Sequence, residues 1–252
     1  MANRKGQIAI FVIVAVVIVA SIILFFFLRR APLGVGEGGF NPEQYIKQCI
    51  GPSINEAVDI MLPQGGFLEP KNFKIYNHTN IAYLCKTDKD YSQCINFHPM
   101  FINEISGEIK SYLSPIVEGC FANMKTELEK KQAIVEIGDQ TSLDISMTTG
   151  KVFVDLNKSV KITEKETTRT FDKFKFDVAS PIYNLASVAI DIANSERKYC
   201  EFDIVGYMFF DRSVSVRKFL MSDSTGIYII KDKESGKIMN IAIRSCAIPA
   251  EF

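Results

Sequence analysis

Residues 102–124 read INEISGEIKSYLSPIVEGCFANM, and shortly afterwards the chain reads Ile134-Val135-Glu136-Ile137. In the first stretch Ile102, Ile105, Ile109, Leu113, Ile116, Cys120 and Met124 recur every three or four residues, the spacing of one apolar helix face. Pro115 falls inside this pattern and predicts a bend. From Gln132 the period drops to two, predicting short strands over residues 134–137, 143–147, 152–156 and 160–163. Gly138-Asp139 and Thr149-Gly150 supply turns between them. Phe174, Phe176 and Val178 then alternate with Lys173, Lys175 and Asp177, as in a half-buried strand. Connections this short predict an antiparallel meander, and a helical block followed by a sheet predicts an α+β fold.

Upstream, Asn41-Pro42 opens another helix: Asn caps, Pro suits the first turn, and Gln44 stands where a capping-box partner belongs. Tyr45, Ile46, Cys49 and Ile50 start its apolar stripe and Ile54, Val58 and Met61 continue it, with a kink expected at Gly51-Pro52 and a stop at Pro63-Gln64-Gly65-Gly66. Residues 67–98 read as irregular. Downstream, Ser180-Pro181 starts a third helix, with Ile182, Leu185, Val188, Ala189 and Ile192 on the face that packs on the sheet. Residues 202–210 and 214–221 are apolar without a clear period. The chain closes on a hairpin of residues 227–230 and 238–243, turned by Lys233-Glu234-Ser235-Gly236.

All six cysteines follow the N-terminal apolar run: Cys49, Cys85, Cys94, Cys120, Cys200 and Cys246. An even number in one compartment suits an oxidising space, where disulfides persist. Six cysteines allow 15 pairings. The favoured set joins Cys85 to Cys94 locally, Cys49 to Cys120 between two apolar helix stripes, and Cys200 to Cys246 towards the end. Cys85, Cys94 and His98 have zinc-compatible spacing, with His78 nearby, but no fourth ligand is evident. The sequons at Asn77 and Asn157 are glycosylation candidates for an exterior domain.

Catalytic signatures are lacking. Two histidines serve the whole chain, no nucleophile elbow occurs, and Leu62-Pro63-Gln64-Gly65-Gly66 lacks the Lys-Ser/Thr of a phosphate loop. The reading is of a non-enzyme without cofactor. Residues 158–175 carry Lys158, Lys161, Lys165, Arg169, Lys173 and Lys175 against Glu164, Glu166 and Asp172. An acidic glycan or envelope polymer is one reading of that strip, and a solvated strand face is the favoured one. Beyond residue 30 the chain holds 25 basic and 29 acidic residues, without the basic footprint of a nucleic-acid binder.

Residues 8–28, IAIFVIVAVVIVASIILFFFL, contain one polar side chain, Ser21. As a helix they span about 32 Å, the thickness of a hydrocarbon core. The run is too long for the core of a cleaved secretory signal and ends in Arg29-Arg30 instead of a small-residue cleavage site. It therefore reads as a single transmembrane helix in contact with lipid. Arg4 and Lys5 before it balance Arg29 and Arg30 after it, so the cysteines decide orientation: N-terminus cytoplasmic, C-terminal domain extracellular.

The start, Arg4-Lys5-Gly6-Gln7-Ile8 followed by the apolar run, resembles the class III signal of archaeal type IV pilin-like proteins. The resemblance covers about the first 28 residues. It implies a basic leader of residues 1–6, cleavage between Gly6 and Gln7 by a dedicated leader peptidase, and retention of the helix as anchor. It also implies pilus-type assembly machinery as a partner, with self-assembly or docking on an envelope partner. Phe11 stands where bacterial relatives place a glutamate. The expected organisation is leader 1–6, transmembrane helix 7–30, glycine-rich linker 31–40, helical part of the ectodomain 41–130 and α+β part 131–252. The function expected is a pilin-like, non-catalytic surface protein with a structural or interaction role. The linker also admits a stationary, tethered binding or adhesion domain.

Overall fold

The computed structural model describes residues 16–19 and 40–247. Residues 16–19 are helical. No helix among the described residues is long and apolar enough to cross a membrane, and the rest of the expected anchor, with Gly6, Gln7 and residues 31–39 of the linker, lies outside them. The chain divides into two compact units, Met1–Tyr45 and Ile46–Phe252. The fold described below is that of the second, together with residues 41–45, which begin its first helix.

Three long helices and ten strands build it. Helix α1 (Pro42–Met61) begins as its residues dictate, with the Asn41 carboxamide oxygen accepting from the Gln44 amide at 3.2 Å. It runs through Pro52, and a short 3-10 turn, Leu62–Gln64, leads to Gly65 in the left-handed region at φ +79°. Helix α2 (Phe101–Lys130) continues through Pro115 and buries Phe101, Ile105, Ile109, Leu113, Val117, Cys120, Phe121, Met124 and Leu128 along one stripe. The expected stripe holds from Ile105 to Met124, with Phe101 in place of Ile102 and Val117 in place of Ile116. Helix α3 (Ile182–Tyr199) buries the expected Ile182, Leu185, Val188, Ala189 and Ile192.

The strands form two sheets where one was expected. In the four-stranded sheet, β6 (Lys151–Glu164) is the spine. On one side β4 (Ile134–Ile137) pairs with its second half and β5 (Ser142–Thr148) with its first, while β7 (Thr167–Ala179) runs along the other. The two strands expected at 152–156 and 160–163 are thus one, interrupted by a register shift between Asn157 and Val160. All pairings here are antiparallel, and α2 packs on β4 and β5.

The six-stranded sheet runs β1 (Phe73–Tyr76), β2 (Thr79–Lys86), β10 (Ile238–Arg244), β9 (Gly226–Asp232), β8 (Val214–Leu220), with β3 (Ile95–Asn96) also on β2. The pairing of β10 with β2 is parallel, so the expectation of a purely antiparallel sheet is corrected. So is the expectation of an irregular 67–98. Ile81 to Cys85 are all buried, which removes the alternation that marks a one-faced strand. Helix α3 touches β2, β9 and β10 of this sheet and β5 and β6 of the other, and so packs against both. The closing hairpin is as expected, and residues 204–210 form a fourth helix, α4 (Ile204–Phe210).

Candidate functional site

Every cysteine is in a disulfide. Cys49 of α1 joins Cys120 of α2, Cys85 of β2 joins Cys94, and Cys200 after α3 joins Cys246 after β10. Their Cα–Cα separations of 6.0, 5.4 and 5.6 Å fall in the usual range. This is the favoured pairing set. The Cys85–Cys94 bond takes both sulfurs of the zinc-compatible triad. His98 turns elsewhere: its Nδ1 lies 2.5 Å from Glu104 Oε2, and its ring packs at a tilt against Phe67 with centroids 4.6 Å apart. The pair borders a cavity of about 460 Å³ with Phe67, Lys71, Asn72 and Glu108 on its wall. Glu108 accepts from the Leu68 amide at 3.0 Å. These contacts clasp the loop after the 3-10 turn to the first turns of α2.

A polar cleft forms where β6 shifts register. Gly138, Asp139, Gln140, Thr141, Ser142, Asn157, Lys158, Ser159 and Asp172 line a volume of about 650 Å³. At its inner wall the Lys158 side chain is only 4% exposed. Its Nζ donates to Glu118 Oε2 at 2.9 Å, Glu118 Oε1 at 3.2 Å and Thr141 Oγ1 at 2.5 Å. Thr141 in turn donates to Glu118 Oε1 at 2.6 Å. The ammonium also lies 5.5 Å from the Phe121 ring centroid, over its electron-rich face. The Thr141 hydroxyl, then the Lys158 ammonium, hold the Glu118 carboxyl below the usual glutamate range. With that pair neutral, Asp139 and Asp172 leave the cleft acidic, lined by hydroxyls and amides that accept and donate. The arrangement can hydrogen-bond a polyhydroxylated or amide-rich segment.

Lys158 departs from the solvated strip it was read into. Its neighbours in that strip behave as expected: Lys161 pairs with Glu136 and Arg169 with Glu164 at the surface, and Lys175 pairs with Asp155. A signal for Lys158 was present. Val152, Val154, Leu156, Lys158, Val160 and Ile162 share one parity, all buried, so the lysine occupies an inward register position.

The two sequons are placed differently. Asn77 and His78, at φ +46° and +62°, form the exposed turn between β1 and β2. Asn157 is half-buried, paired across to Ser142 on one side and Lys173 on the other.

Among the described residues, the most exposed large apolar side chain, Phe210, is on α4, which buries none of its residues. Val205, Phe209 and Phe210 are 76%, 70% and 90% exposed. No protein-family model matches this chain, and neither a curated protein nor a solved structure shows a significant match.

Proposed function

We infer that this chain is a membrane-anchored surface protein of pilin-like type, held by residues 8–28, with a non-catalytic ectodomain that serves in structure or interaction. The observation that supports it is the use of all six cysteines in three disulfides within residues 46–252. Such bonds persist outside the reducing cytosol. An outward domain behind an apolar run of membrane length is the arrangement the class III signal resemblance implies. The mass of the mature N-terminus tests the reading: loss of residues 1–6, leaving Gln7 first, is expected, and an intact Met1 refutes processing as a pilin. Sheared surface material should then contain the chain in filaments.

The second reading, a stationary tethered binding domain, is supported by the polar cleft at Lys158 and by the glycine-rich composition of residues 31–39. It predicts a processed or unprocessed chain that is released by detergent and absent from sheared filaments.

A further inference from the structure

We propose that the outer face of helix α4 is a bilayer-contact surface, through which the ectodomain lies against the membrane that anchors it. This rests on the anchor reading above. The helix is fixed in rotation by its polar contacts. Asp203 caps it, accepting from the Gly206 amide at 2.9 Å. Tyr207 donates to Asp191 Oδ2 on α3 at 3.0 Å, and the Met208 sulfur accepts from the Val216 amide of β8 at 3.3 Å. Those contacts define the inner face, and they leave Val205, Phe209 and Phe210 pointing to solvent, as their exposures record. Phe209 and Phe210 meet edge-on with centroids 6.0 Å apart, and the Arg212 guanidinium lies 5.9 Å from the centroid of the Phe209 ring. Exposed aromatic residues beside a long basic side chain are the composition of a membrane–water interface.

Size selects the occupant. The three side chains offer on the order of 450 Å² at about 200 Å² per aromatic ring, well short of the ~800 Å² per partner of a stable protein interface. A contact that weak suffices when the surface it meets is tethered to it, since the tether replaces bulk concentration by a high effective one. Residues 31–40 have a contour length of about 35 Å, and a domain of this size has a radius of gyration of about 17 Å. A sphere with that radius of gyration is about 44 Å across, so the tether lets all of the ectodomain's surface except the pole opposite its attachment meet lipid. Arg197, Lys198 and Arg212 are balanced by Glu201, Asp203 and Asp211 over residues 197–212, so the contact is apolar and independent of lipid charge.

The protein contains no tryptophan, so Phe210→Trp creates a single fluorophore at the tip of the patch. The full chain carrying it is reconstituted into phosphatidylcholine vesicles whose acyl chains are brominated near the glycerol end. Ile134→Trp, at a 65% exposed position of β4 in the other sheet, is the control. Expected is at least a two-fold loss of Phe210→Trp emission relative to unbrominated vesicles, unchanged by salt, with the control unaffected. Equal emission from the two vesicle types, or equal quenching of both variants, overturns the proposal. An emission shift that grows with protein density without quenching also overturns it and points to a second copy as the cover. Should the chain fail to float with vesicles after an alkaline wash, the anchor reading fails, and this proposal with it.

Discussion

Removing the Cys49–Cys120 disulfide should destabilise the ectodomain more than removing Cys85–Cys94, although Cys49 is the least buried of these four cysteines. Cys120, Cys85 and Cys94 are each no more than 3% exposed and Cys49 is half-buried, so the packing lost on replacement by alanine is no greater for the Cys49–Cys120 pair, and a larger loss there must come from the loop. The loops differ: the separations are 71 residues for Cys49–Cys120 and 9 for Cys85–Cys94. Loop-closure entropy in the unfolded chain then contributes about 4.4 kcal/mol for the long loop and about 2.6 kcal/mol for the short one. At the unfolding entropy typical of some 200 residues, these are drops of about 10 °C and about 6 °C in Tm. The double variants Cys49→Ala/Cys120→Ala and Cys85→Ala/Cys94→Ala, as full chains in detergent, are compared by calorimetry and by urea titration. A gap of about 1.8 kcal/mol between them is expected. Equal losses, or a larger loss from the short loop, would refute an account in which these bonds act through the unfolded state.

Three further outcomes are expected. Gly65→Ala should cost about 2–4 kcal/mol in urea unfolding, because a Cβ at φ +79° would sit 2.9 Å from the Ala82 Cβ and 3.2 Å from the Asn240 carbonyl oxygen. Gly150→Ala, at φ +74° in open space, should cost only about 1 kcal/mol. Glu118→Gln leaves the Lys158 ammonium buried without its counter-charge. The loss should be about 2 kcal/mol, below the range for a fully buried pair because the Glu118 side chain is 54% exposed. Since folding lowers the Glu118 pKa from 4.5, its contribution is complete above that unfolded value. It disappears as pH falls through the lower folded value, so parent and variant stability curves should converge in acid. In glycopeptide mapping of protein from its native envelope, Asn77 on its exposed turn should be the occupied sequon and Asn157 bare.

Where one face of an element meets solvent, its class could be read from the residues. The stripes of α2 and α3, the Asn41 cap of α1 and the hairpin around Lys233 to Gly236 all announce themselves through a period or a turn residue. The two prolines expected to bend α1 and α2 lie within helices that continue past them. Strand β2 was not legible, because a strand covered on both sides carries no period, and its parallel partner β10 lies at the far end of the sequence. Lys158 was legible only once its register on β6 was known: composition put it with solvated lysines, while parity put it among buried valines.

By itself the sequence determined the α+β class, the helix stripes and an apolar run of membrane length, since each depends on residues near one another in the chain. The favoured disulfide set also came from local reasoning, from cysteines on apolar stripes and at short separation. Only the tertiary structure decided that there are two sheets joined across by α3, that Lys158 is clamped by Glu118 from a different element, and that α4 keeps its phenylalanines outside. Those outcomes depend on which distant surfaces meet, and burial on both sides erases the local pattern that would have revealed them.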